Sequence, residues 1–126
     1  MNVKLLRKVK KHILQEPRRF FMEKLVEKGK PGQAVSLDGI PRSLPACGTA
    51  ACIAGWVCIL EKTVQVDRRD AEEILGISDD EGERLFFVPS WPDRYRSKWR
   101  TTTDLRARAK IGANRIDHFI KTKGAE

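Results

Sequence analysis

The sequence predicts a mainly α fold: five to six helices packed around a central buried helix at about 49–62, with at most a small two-stranded ribbon. Three observations predict it. Pro45–Leu60 is the only long apolar run in the chain, and residues 49–62 drawn as a helix carry apolar or small side chains all round the first three turns. Such a helix is buried on every side. Apolar stripes at helical spacing stand at both ends of the chain, and helix start and stop residues (Pro17, Gly29, Asp67, Gly76, Ser78) punctuate what lies between. A chain of 126 residues is about one domain, and residues 1–126 read as one small basic unit with no internal repeat or dividing linker.

In chain order, Leu5, Leu6, Val9 and Ile13 share one side of a first helix over residues 3–15. Pro17 suits the first turn of a second helix, which carries Phe20, Phe21, Leu25 and Val26 before Gly29 ends it. Residues 29–46 hold three Gly and three Pro and form the longest loop. Its strand-like patch at 34–37 is the expected partner of the extended stretch 63–66. Asp67 caps a short helix through Ala71, Ile74 and Leu75, closed by Gly76. Ser78 and Glu81 form a capping box that opens a helix to about Phe87. The run Val88-Pro89-Ser90-Trp91-Pro92 breaks that helix. A last helix, from about Thr103 to Thr122, places Leu105, Ala109, Gly112, Ala113, Ile116, Phe119 and Ile120 on its core side.

The net charge of +8 is unevenly spread: residues 1–30 carry +7, residues 31–93 carry −6 and residues 94–126 carry +7. Should the two basic ends lie side by side, they make one positive face suited to phosphate-bearing partners. The basic first helix lacks the aromatic anchors of a membrane-surface helix, so no membrane partner is expected. The start Met1-Asn2-Val3-Lys4 has no apolar signal core after it, and three cysteines in apolar surroundings read as reduced thiols. The expected location is cytoplasmic.

Two stretches carry candidate chemistry. Cys47, Gly48, Thr49 and Ala50 sit where the central helix is drawn to begin, and a helix start offers free N–H groups and a positive dipole end to an anion. The same position would lower the pKa of Cys47 and make it a nucleophile. Against that, the chain lacks a Gly-x4-Gly-Lys-Ser/Thr loop, and no Arg stands six residues after Cys47. In the plainer alternative, Gly48 and Thr49 merely start the helix. The second stretch, Trp91 to Arg100, interleaves rings with cations: Arg94, Arg96, Lys98 and Arg100 to neutralise phosphates, Trp91, Tyr95 and Trp99 to stack on bases. Here the alternative is that Trp91 and Trp99 anchor the segment to the core. Arg106, Lys110 and Lys121 continue the basic surface along the last helix.

The spacings of Cys47, Cys52 and Cys58 do not match a zinc site, His12 and His118 lie near opposite ends of the chain, and no metal or other cofactor is expected. No Ser/His/Asp arrangement stands out. The expectation is therefore a non-catalytic protein that binds a nucleotide-like ligand or a nucleic acid. The alternatives are an interaction module docking an acidic protein partner and a thiol enzyme using Cys47.

The motif Cys47-Gly48-Thr49-x-x-Cys52-Ile53-Ala54-Gly55-Trp56 resembles that of a group of small uncharacterised bacterial and phage proteins. Three further stretches share in the resemblance: Ile13-Leu14-Gln15-Glu16-Pro17-Arg18-Arg19, Leu85-Phe86-Phe87 with Trp91-Pro92, and Arg115-Ile116-Asp117-His118-Phe119-Ile120. The resemblance implies a free-standing protein, a phage or mobile-element setting, and a defence role such as capture of a nucleotide signal. It carries no assigned activity.

Overall fold

Leu5, Leu6, Val9 and Ile13 recur at helical spacing, and in the computed structural model they form the buried stripe of α1 (Val3–Gln15). The structure describes residues 1–22, 26–28, 49–61 and 67–125, without the side chains of 26–28 and 49–50. The Asn2 side chain accepts from the Leu5 N–H at 3.1 Å and caps the helix start. Pro17 cannot continue a helix, and α1 ends just before it.

The architecture is mainly α, with six α-helices and one two-stranded ribbon among the described residues. After a 3-10 turn at Pro17–Arg19 come β1 (Val26–Lys28), β2 (Thr49–Ala51), α2 (Ile53–Leu60), α3 (Arg68–Leu75), α4 (Asp79–Phe86), α5 (Asp93–Thr101) and α6 (Leu105–Thr122). Two expectations are corrected. The second helix from Pro17 to Gly29 does not form: the chain makes its 3-10 turn, bridges Phe20 to Ala51, and enters β1. The central helix begins at Ile53 and not at Thr49, because Thr49–Ala51 pairs antiparallel with Val26–Lys28 in the register Val26↔Ala51. Thr49-Ala50-Ala51 is short and weakly patterned, so a partner strand decides its state. The ribbon expected between 34–37 and 63–66 lies outside the described residues.

Cys52 is the cap that α2 uses. Its backbone is extended and its Sγ accepts from the Gly55 N–H at 3.4 Å. As expected of the central helix, every residue from Ile53 to Ile59 is buried. Each large apolar side chain buried there stabilises the fold by about 1.5–3 kcal/mol. Trp56 is enclosed completely, with its Nε1–H donating to the Arg19 carbonyl at 2.9 Å.

The caps of α3 and α4 form as the sequence indicates. Asp67 accepts from the Arg69 N–H, Gly76 closes α3 at φ +67°, and Ser78 and Glu81 make a reciprocal capping box. A 3-10 turn at Val88–Ser90 follows, then α5, a helix the sequence reading did not draw. Among the described residues the number of helices matches the expected five to six, although one was lost and one gained.

Helices α1 and α6 pack together and run in opposite directions: Lys10 meets Asp117, while Ile13, further along α1, packs near Gly112, further back on α6. The two basic ends of the chain therefore lie side by side. Helix α5 packs on α6 as well, and Trp99 on its inner side joins Phe20 and Trp91 in an edge-to-face cluster with centroids 5.6 Å apart.

Candidate functional site

Helical spacing alone sorts the last helix into two sides. Ala109, Gly112, Ala113, Ile116 and Phe119 are buried, and Arg106, Lys110, Asn114, Asp117 and Lys121 are exposed on the other side. Helix α5 sorts the same way, with Trp99 buried and Arg94 and Lys98, four residues apart, exposed. Packing α5 on α6 brings the two exposed sides to the edges of one open groove. It has a volume of about 420 Å³, with Arg94, Tyr95 and Lys98 on one wall and Asn114, Asp117, His118 and Lys121 on the other.

Ring stacking and cations set the floor. The Tyr95 and His118 rings lie 5.5 Å apart at 33°, and the Arg94 guanidinium sits 4.9 Å over the Tyr95 ring. Beneath them Arg115 is buried completely. Its Nη2–H donates to the Arg84 carbonyl at 2.8 Å, and its guanidinium lies 5.9 Å from Tyr95 and 5.8 Å from Phe119. A buried guanidinium with its backbone contact ties α4 to α6 and adds positive potential under the groove. The one acid of the groove among the described residues, Asp117, is held by Lys10 across the helix seam at 2.6 Å. Three cations thus face the groove with a single, already paired carboxylate.

Beyond the Lys10–Asp117 pair the same seam continues into a second depression of about 540 Å³ between α1 and α6. Leu14, Pro17 and Ala113 line it together with Lys10, Arg106 and Lys110.

The residues singled out in the sequence divide. Arg94, Tyr95 and Lys98 come together with Lys121 at the groove. Arg96 does not join them: it turns back to donate to the Pro89 carbonyl at 3.2 Å and to the Asp93 carboxylate. Arg100 is exposed but does not line the groove. Trp91 and Trp99 cannot stack on a base in this structure. They are 2% and 4% exposed, the Trp91 Nε1–H is taken by the Leu85 carbonyl at 2.9 Å, and Arg108 covers Trp99 at 4.7 Å. Here the core-anchor alternative describes the packing.

Cys47 and Gly48 lie outside the described residues. Thr49 and Ala50 belong to β2, opposite Lys28 and Glu27, and do not form the first turn of a helix. That turn starts at Cys52, which is buried. Cys52 and Cys58 are both buried, and burial pushes the Cys52 thiol up to about 11, the reverse of what a nucleophile needs. Among the described residues no three metal-ligating side chains come together, and no helix is long and apolar enough to cross a membrane.

Asn114, Asp117 and His118 were not singled out as a site in the sequence, although their i, i+3, i+4 spacing puts them on one exposed side of α6. Their meaning depends on α5, whose placement no local signal sets.

No family model, curated protein or solved structure matches the chain. The site is therefore read from its own chemistry.

Proposed function

We propose that this protein binds the phosphate backbone of a nucleic acid without catalysing a reaction, at the groove between α5 and α6. The observation that carries the reading is the approach of Arg94, Lys98 and Lys121 from two helices around the Tyr95–His118 ring pair. Lysine and arginine neutralise phosphates and release condensed counterions, which supplies affinity without sequence readout. The groove is open, so it suits a strand passing through better than a small nucleotide enclosed on all sides. Tyr95 is half-buried with the Arg94 guanidinium over its ring, so phosphate contact dominates over base stacking.

The test is the salt dependence of binding to a labelled oligonucleotide, single-stranded and duplex in parallel. Log affinity should fall linearly with log salt, with a slope of about −0.9 per phosphate contacted for duplex or about −0.7 for single strands. Changing Lys98→Glu and Lys121→Glu together should flatten the slope by at least two such contacts. Binding that ignores salt, or a slope unchanged in the double variant, would sink the proposal.

A further inference from the structure

The second depression, along the α1–α6 seam, differs in kind from the phosphate groove. Its floor is apolar: Leu14, Pro17 and Ala113. Leu14 is 44% exposed, one of four large apolar side chains so exposed among the described residues, although the other apolar positions of α1 between Leu5 and Ile13 are buried. Around that floor stand Arg106 and Lys110 with Lys10, which is already paired to Asp117, and among the described residues no carboxylate lines the depression. Leu105, expected on the core side of α6, is instead 45% exposed, and it lines a neighbouring depression that shares Gln15, Pro17 and Arg106 with this one and also holds Glu16 and Asp104. A nucleic-acid backbone has nothing to place against an exposed leucine and a proline. A lipid surface would need a broad apolar area, and this one is a narrow seam between two antiparallel helices.

We propose that this seam docks an acidic amphipathic segment of a protein partner. Apolar side chains on one face of the segment would pack on Leu14, Pro17 and Ala113, and flanking Asp or Glu would meet Arg106 and Lys110. The argument is charge complementarity around an apolar strip, the arrangement by which helical segments are held in grooves. The Lys10–Asp117 pair marks the border with the phosphate groove, so this surface stands whether or not nucleic acid binds next to it.

The experiment is fluorescence anisotropy with a labelled amphipathic peptide carrying leucines at i, i+4 and i+7 among glutamates. Its controls are a scrambled peptide of the same composition and a version with lysines in place of the glutamates. The patterned acidic peptide should bind at least about tenfold more tightly than either control. Leu14→Ser should weaken it by a similar factor while leaving oligonucleotide binding unchanged, and Lys110→Glu should weaken it independently. Both positions are exposed, so the variants keep the core, which circular dichroism checks. Equal binding of patterned and scrambled peptides, or no effect of Leu14→Ser, overturns the proposal. So does a self-associated protein in sedimentation that Leu14→Ser makes monomeric, because the seam would then belong to a second copy. A loss of oligonucleotide affinity in Leu14→Ser equal to the peptide loss would assign the seam to nucleic acid and overturn it as well.

Discussion

At the scale of single residues, the structure turns on a few close approaches. Gly112 lies under the Phe20 ring: a Cβ built there would stand 2.6 Å from ring carbons, and that ring is itself wedged against Trp99. Two effects compete in Gly112→Ala. Helix propensity favours alanine by about 1 kcal/mol, while overpacking a filled core costs about 1–3 kcal/mol. The ring has nowhere to move, so overpacking wins, and urea denaturation should show a net loss of about 1 kcal/mol or more. His12 is the second case. Its ring packs 4.0 Å from that of Trp56, and its buried Nε2 has no hydrogen-bond partner among the described residues. Burial lowers its pKa, opposed by Glu16 and assisted by Arg19. A lowered histidine pKa means the unfolded chain takes up a proton before the folded one does. Stability is then full above the ordinary value of 6.5 and falls as the pH drops from there through the folded-state pKa. Thermal melts from neutral to mildly acidic pH should show that slope, and His12→Phe should flatten it in that window.

At the scale of elements, the helix ends were the legible features. Asn2, Asp67, Ser78 and Asp104 each accept from a backbone N–H in the first turn of the helix that follows. For α4, Ser78→Ala should cost about 1 kcal/mol, a shift of a few degrees in the melting midpoint, read by differential scanning calorimetry. What failed was the state of short stretches whose own pattern is ambiguous. Phe21 and Leu25 have helical spacing in a stretch that also has strand character, and the backbone of Ala51 decided between the two by accepting from the Phe21 N–H at 3.2 Å and pairing with Val26. Residues 93–101 carry only one fully buried side chain, Trp99. A helix with so thin an apolar side leaves little periodicity to read, and α5 went undrawn.

At the scale of the molecule, the antiparallel packing of α1 on α6 is what turns charge composition into surface. Two basic termini separated by an acidic middle meet along one seam, and α5 packs on α6 to complete the groove. If location and not total charge governs binding, two equal charge changes should differ. Lys98→Glu with Lys121→Glu alters the groove. Lys4→Glu with Lys8→Glu changes net charge equally, but Lys8, two residues before Lys10, points to the other side of α1. Oligonucleotide affinity measured at one fixed salt concentration should fall steeply in the first pair and stay within about threefold in the second, since exposed charges farther than a Debye length of about 8–10 Å are largely screened. Equal losses would mean that the protein acts as a diffuse cation.

The sequence by itself determined the mainly α class, the fully buried central helix, the buried stripe of α1, that of α6 apart from the exposed Leu105, and the caps at Asp67, Gly76 and Ser78–Glu81, because all of these are local: side-chain period, cap chemistry and the length of an apolar run. It also named Arg94, Tyr95 and Lys98 together, from the interleaving of rings and cations, and the structure brings these three to one groove. Only the tertiary structure decided that Trp91 and Trp99 face inward, that Arg96 is spent on its own helix, that Thr49–Ala51 is a strand, and that Asn114, His118 and Lys121 complete the groove. Composition is the same whether a tryptophan anchors a core or waits for a base. What separates the two is which neighbours remove it from water, and those neighbours come from far along the chain.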